Sequence, residues 1–260
     1  MTEVLENLQQ LNGPEVPSSI FNNHPEATYW IGKVADLGQS SLPEYYNALT
    51  KFRAETYLRL GFIAMDQLDT EGRDIDKDEL RSTSFMVVKK SEHNSIMHTS
   101  VVGSARLICK GVTGDPLPIE RTFPEIFDKD PLSNKTVEIS RFISRDSEEI
   151  NRHMVSLALI RTLTYECIET IADSGHCMLE KPFLRLLEAI GIPIEVVGAP
   201  KDIPEQGGVL YPVKIDNYQV FSSIKNKKDK YKIIDLQRFF DDEGKGIGYY
   251  NNSLDGVKND

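Results

Sequence analysis

The chain has 260 residues, of which 40% are hydrophobic and 27% charged, and a formal net charge of −10. That is an ordinary globular composition, long enough for a large domain with a real core. It disfavours a general grip on nucleic acid, which needs a basic face, and no apolar run approaches the length of a membrane span.

The N-terminal stretch MTEVLENLQQLNGPEVPSS lacks a basic region followed by an apolar one, so it does not read as a secretory signal. The three cysteines, Cys109, Cys167 and Cys177, are odd in number, match no zinc spacing and sit among apolar residues. They read as free thiols of a cytoplasmic protein.

Residues 1–40, with Pro14, Pro17 and Pro25, read as an irregular extension with a short helix near Val4 to Leu11. Apolar residues recur at helical spacing from Pro43 to Ile63. The acidic stretch Asp66 to Arg81 follows as a loop. Ser84 to Lys90 and His98 to Lys110 are strand candidates joined as a hairpin through SEHNSIM. Pro116 to Phe127 is turn and short-helix material, and Thr136 to Ser144 is a third strand. Ser147 to Ser174 carries a continuous apolar helical stripe, with Gly175 as its stop. His176 to Glu180 is a strand. Lys181 to Ile190 is a short helix with Pro182 in its first turn and Gly191 after its end. Ile194 to Gly198 and Val209 to Ile215 are further strands, Pro212 suggesting an edge or a bulge in the latter. Lys225 to Lys232 reads as a solvated basic run and Gly244 to Asp260 as a polar tail. The order implies one mixed α/β domain around a single sheet, spanning about 41–224, with a polar C-terminal extension over 225–260.

TVEISRF, Thr136 to Phe142, sets an acid, a hydroxyl and a guanidinium close together on a strand with apolar neighbours. Strict alternation places Glu138, Ser140 and Phe142 on one face and Val137, Ile139 and Arg141 on the other, unless a bulge intervenes. Upstream, Arg53 and Tyr57 lie one turn apart on a helix. Asp74, Asp76 and Glu79 form an acidic cluster before the first strand candidate.

GSARL at Gly103 to Leu107, EISRF at Glu138 to Phe142 and LRLLEAIGIPIEVVG after Glu180 resemble the autoinducer-synthase branch of the GNAT acyltransferase fold. That branch includes acyl-homoserine-lactone synthases, N-acyl amino acid synthases and exosortase-associated acyltransferases. The resemblance covers about 52–221. It implies a single GNAT-like domain, a mixed central sheet flanked by helices. It also implies acceptor- and donor-binding roles for Arg53, Tyr57, Phe62, Asp74, Asp76, Glu79, Arg106 and Phe142, and a catalytic role for Glu138 with Ser140 and Arg141. The acidic cluster departs in identity from the family's E-x-D-x-x-D.

The chemistry is consistent with this. An ammonium has no lone pair, so acyl transfer from a thioester to an amine needs a base, and a buried Glu138 has its pKa raised toward neutrality. The competing reading is a carboxylate merely paired with Arg106 or Arg141. Arg106 and Arg141 are expected to order the acidic loop. The resemblance further implies a bulged strand whose amides hold the thioester carbonyl.

ISRDSEEINRHMVS, where CoA-dependent relatives of the fold carry a glycine-rich pyrophosphate turn, contains no glycine. This favours phosphopantetheine on acyl carrier protein as donor, with no separately bound cofactor. Arg145, Arg152, His153 and Arg161 are the candidate basic surface for that acidic partner. No histidine or cysteine spacing matches a metal site or a nucleophile elbow.

The expectation is therefore an N-acyltransferase moving a fatty acyl group from acyl carrier protein to a small-molecule amine. A plain amino acid is the favoured acceptor, and lactone formation on S-adenosylmethionine the first alternative. A CoA-dependent acetyltransferase and a non-catalytic sensor of acyl carrier protein or lipid stay open at this point.

Overall fold

In the run Phe85-Met86-Val87-Val88 every side chain is apolar and every one is buried. A strand of that kind must be covered on both faces. A computed structural model, which describes residues 27–35, 43–93, 96–146, 149–170, 172–216 and 219–220, shows what covers it. Phe85 and Val87 belong to the large core under α4 (Glu149–Glu169) and α5 (Lys181–Ile190). Met86 and Val88 pack with Tyr45 and Leu49 of α1 (Pro43–Leu60) on the other side.

The strands are β1 (Ala27–Ala35), β2 (Ser82–His93), β3 (Ile96–Cys109), β4 (Thr136–Ser144), β5 (Ser174–Glu180), β6 (Ile194–Val196), β7 (Lys201–Ile203) and β8 (Gly208–Ile215). They form one eight-stranded sheet in the order β1-β2-β3-β4-β5-β8-β6, with β7 also paired to β8. All neighbouring pairs are antiparallel except β4 and β5. Two short helices, α2 (Pro118–Thr122) and α3 (Pro124–Phe127), cover Ile108 on the α1 side through Leu117, Ile119, Phe123 and Phe127. The mixed sheet flanked by helices is the architecture the sequence implies.

Close packing fixes one strand residue. A Cβ on Gly103 would lie 2.7 Å from Val155 Cγ1 and 3.0 Å from Val87, so only glycine lets α4 settle against β3 there.

Several sequence expectations are corrected. Part of the supposedly irregular 1–40 stretch is β1, an edge strand paired with β2. The first helix ends at Leu60 rather than Ile63. Gly61 takes φ 75°, with Gly61 N–H bonded to Leu58 C=O and Phe62 N–H to Tyr57 C=O, a Schellman stop. The long helix ends at Glu169, and Gly175 is not its stop but a residue of β5 paired with Val137. β7 is not anticipated at all. Pro212 lies in an internal strand paired with Met178, yet costs no ladder bond. Its carbonyl accepts from Val197 N–H, so its ring nitrogen faces the same side, where β6 ends and β7 has not begun. Val4 to Leu11, Lys225 to Lys232 and Gly244 to Asp260 lie outside the described residues.

Candidate active site

β4 and β5 run in parallel register only from Thr136 opposite Ser174 to Ile139 opposite Cys177. Beyond that they part, and among the described residues no strand pairs with β4 on the side facing β5. A cavity of about 790 Å³ occupies the gap. Glu138 to Phe142 line it from β4 and Cys177 to Glu180 from β5. One end is polar, with Asp76, Asp78, Arg106, Arg121 and Arg141; the other is apolar, with Leu163, Phe183, Leu187, Ile192 and Ile215. α5 ends in a second Schellman stop at Gly191 (φ 90°), which turns Ile192 back toward Leu187, both on the cavity wall.

Glu138 is fully buried. Its Oε2 accepts a 2.8 Å hydrogen bond from Ile119 N–H, and its Oε1 has no hydrogen-bond partner among the described residues. It makes no ion pair with Arg106 or Arg141; the described partners of both guanidiniums lie elsewhere. Burial pushes its carboxyl up to about 8, against the opposing pull of the Ile119 amide and of Arg106 and Arg121. A carboxyl of that kind exchanges a proton near neutral pH.

The bulge that alternation left open is present. β3 and β4 shift register between Ser104 opposite Ile143 and Arg106 opposite Ser140, so Arg141 and Phe142 face a single residue, Ala105. Arg141 takes φ 51°, rare for a residue with a side chain. The sides expected for two residues are thereby exchanged. Arg141 turns to the side of Ser140 and Arg106, where it meets the acidic loop, and Phe142 turns to the α4–α5 side. There it packs 4.8 Å from Phe183 with the ring planes tilted. Both still border the cavity, which passes between the strands.

The acidic loop and the guanidiniums form one buried network. Arg106 Nε donates to Ser140 Oγ at 3.0 Å. Its terminal nitrogens reach Asp76 Oδ1 and Oδ2 at 2.8 and 2.9 Å and Glu79 Oε2 at 2.8 Å. Arg53, with no exposed surface, pairs with Asp74 at 3.2 Å and Glu79 at 3.1 Å. Arg141 pairs with Asp74 at 2.8 Å and Asp76 at 3.2 Å, and lies 5.3 Å over the Tyr57 ring. Phe62, the residue after the Schellman glycine, packs 5.9 Å from Tyr57 and lines the cavity mouth. Burial favours neutral Asp76 and Glu79, but the guanidiniums outweigh it: Arg106 and Arg141 hold Asp76, and Arg53 and Arg106 hold Glu79, below the ordinary carboxylate range.

Sequence reading misses three participants. Asp78 is buried and shared between Arg81 and Arg121. Ile119 contributes only its backbone N–H, which no side-chain pattern reveals. Phe183 shapes the apolar part of the cavity. Asp78 stood inside the same DIDKDE run and its burial was the missing signal. Of the residues expected on a basic surface, Arg145, Arg152 and His153 are exposed, but Arg161 is buried, 5.5 Å over Tyr165. Cys167 and Cys177 are buried free thiols, and Cys109 is partly buried. Among the described residues no cluster of His, Cys, Asp or Glu is arranged to hold a metal ion, and no helix is long and apolar enough to cross a membrane.

A model of the autoinducer synthase family matches residues 49–243. The chain belongs to that family. It is an acyltransferase, which sets aside the reading as a non-catalytic sensor. No curated protein matches it. Among solved structures, this family member is similar to the CoA-dependent acyl-homoserine lactone synthase BjaI with S-adenosylmethionine and isopentyl-CoA. The identity is 14%, the match covers 77% of this chain and 88% of that one, and the TM-score is 0.59. It is also similar to TofI in a ternary complex with an inhibitor and MTA (18% identity, 76% and 96% covered, TM-score 0.54). A third is FeeM, an N-acyl amino acid synthase from uncultured soil microbes (14% identity, 75% and 95% covered, TM-score 0.50). At these identities the likeness carries the GNAT-like fold and no more.

Proposed function

We propose that this chain transfers an acyl group from a carrier-protein thioester to the amine of an amino-acid acceptor, with Glu138 as general base. The observation that carries this reading is a fully buried carboxyl with one oxygen fixed by a backbone amide, the other unpartnered, on the wall of a cavity polar at one end and apolar at the other. The neutral amine attacks the thioester carbonyl while Glu138 takes its proton. The C–S bond then breaks, and the proton passes to the departing sulfur, so no covalent enzyme intermediate is needed. The amides of Arg141 and Phe142, displaced from the β3 ladder by the bulge, are suited to the tetrahedral oxyanion. The apolar end takes the acyl chain. Asp76 and Arg106 line the acceptor side, backed by Asp74, Glu79 and Arg53, with Tyr57 and Phe62 at its mouth.

The fold itself accommodates CoA in a relative, so the donor depends on local sequence. The glycine-free Ile143 to Ser156 segment supports phosphopantetheine on an acidic carrier protein. So does the exposed set Arg59, Arg145 and Arg152, which borders a second groove beside Tyr57, Phe62 and Phe142. A second acceptor reading, S-adenosylmethionine with closure to a lactone, is favoured by the family match and by the structural likeness to lactone synthases; its acyl-transfer step is the same.

The test is a product assay by mass spectrometry. Acyl carrier proteins and acyl-CoAs of several lengths are each offered with pooled amino acids plus S-adenosylmethionine, with Glu138→Gln alongside. An open-chain N-acyl amino acid from the carrier-protein donor, slowed on the order of 10²-fold or more in the variant, is the expected result. A lactone selects the second acceptor. Efficient turnover from acyl-CoA alone overturns the donor, and an unimpaired variant overturns the base.

A further inference from the structure

The guanidiniums and carboxylates around the cavity divide into two groups whose charges do not balance equally. In one, Arg53, Arg106 and Arg141 share Asp74, Asp76 and Glu79, three against three. In the other, Arg81 and Arg121 share the single carboxylate of Asp78. Arg81 is buried and committed: Nε and a terminal nitrogen both go to Asp78 Oδ1, and the terminal nitrogens also reach the carbonyls of Asp115 and Pro116. Arg121 is different. Its side chain is 32% exposed, its terminal nitrogens reach Asp78 and the Pro116 carbonyl, and its Nε makes no hydrogen bond among the described residues. It lines the cavity together with Glu138 and lies close enough to act on that carboxyl electrostatically. The uncompensated positive charge of the network therefore faces the reaction cavity at Arg121.

α2 ties this charge to the base. Ile119 N–H holds Glu138, and Arg121 follows two residues later on the same short helix. A ligand anion on Arg121 would thus share with Glu138 the one cavity that both residues line.

Resting on the acceptor side of the proposed function, we infer that Arg121 is the specificity residue that takes the acceptor's α-carboxylate and so presents its amine to Glu138. The three-to-three group offers no such charge. Arg53 and Arg106 are buried in their pairs, and Arg141 is spent on two acids. The assignment also bears on the product. A carboxylate ion-paired with Arg121 is held back from attacking its own side chain, which favours an open-chain N-acyl amino acid over a lactone.

Binding tests this without needing turnover. Ligand-observed NMR titrates the whole chain with each amino acid, with its carboxamide and with S-adenosylmethionine, using wild type, Arg121→Gln and Arg121→Lys. Thermal melts confirm that the variants are folded. At least one amino acid is expected to bind wild type 10-fold or more tightly than its carboxamide. Arg121→Gln is expected to bring the two within about 3-fold, and Arg121→Lys to restore part of the difference. Equal binding of acid and amide to wild type, a preference that survives in folded Arg121→Gln, or no binding of any of them overturns the inference. Acyl transfer is then measured on the same proteins. Absence of product in the presence of acid-selective binding defeats the proposed reaction and leaves the carboxylate site standing. An acceptor KM raised in Arg121→Gln with an unchanged donor KM supports both.

Discussion

Two sets of carboxyl groups lie at, or just behind, the polar end of one cavity and are governed by opposite forces. Asp76 and Glu79 are each met by two guanidiniums, and the pairs keep them ionised in spite of burial. Glu138 is buried more completely and is met by one backbone N–H, so burial wins and it keeps its proton to about pH 8. Burial alone therefore does not make a base. A carboxylate surrounded by fixed cations becomes structure; one given a single amide becomes a group that exchanges protons.

The strongest way to break this contrast is to remove the shared cation. Arg106→Met leaves Asp76 and Glu79 partly unpaired in a buried setting and is expected to cost about 3–5 kcal/mol, read as a lowered denaturation midpoint together with loss of activity. Next, Glu138→Gln keeps the shape and the bond to Ile119 N–H but removes the titrating proton. Turnover is expected to fall by roughly 10²–10⁴-fold with the melt at pH 5 unchanged.

The pH dependence sharpens the contrast further. Folded Glu138 holds its proton up to about pH 8, above the ordinary glutamate range, so the native state binds the extra proton between those values. Its contribution to stability is full at low pH and is lost as pH rises toward and through 8. Wild type and Glu138→Gln should thus melt alike at pH 5, while at pH 9 the variant is the more stable by on the order of a few kcal/mol. Asp76 and Glu79 act in the other direction: their depressed values give stability that is present above the ordinary carboxylate range and lost on acidification below it. In wild type the rate should rise with pH up to about 8, the base form being the active one. A rate that is flat across this range contradicts the role of Glu138.

The smallest expected effects are at Tyr57, whose ring faces the Arg141 guanidinium. Tyr57→Phe keeps that face and should shift stability by less than about 0.5 kcal/mol, whereas Tyr57→Leu removes it and should cost about 1 kcal/mol by chemical denaturation.

Much of this was legible in the letters, for identifiable reasons. Long elements with strong periodicity, such as α4 and the β2–β3 hairpin, follow from pattern. The acidic, guanidinium and Glu138 positions came from the resemblance carried by GSARL and EISRF, and the pairing of Glu138 with Arg106 or Arg141 that burial would suggest is not formed. What was not legible depends on three-dimensional accounting. β1 lies among prolines and reads as irregular because its apolar residues acquire meaning only beside β2. The exchanged sides of Arg141 and Phe142 follow from a bulge whose cause lies in pairing with β3, not in EISRF itself. Ile119 acts through a backbone atom. The surplus charge at Arg121 emerges only when each guanidinium is assigned to its carboxylates.

The bulge in β4 has one more consequence. It changes the parity of the strand halfway along, so everything before Arg141 is written in one phase and everything after it in the other. Deleting Arg141 would do more than remove a cation. It would restore strict alternation, leave Phe142 alone opposite Ala105 with Ile143 and Ser144 still in register with Ser104 and Gly103, and close the interruption in the ladder. Side chains in either half can be exchanged independently, and it is the extra residue between them that opens the ladder.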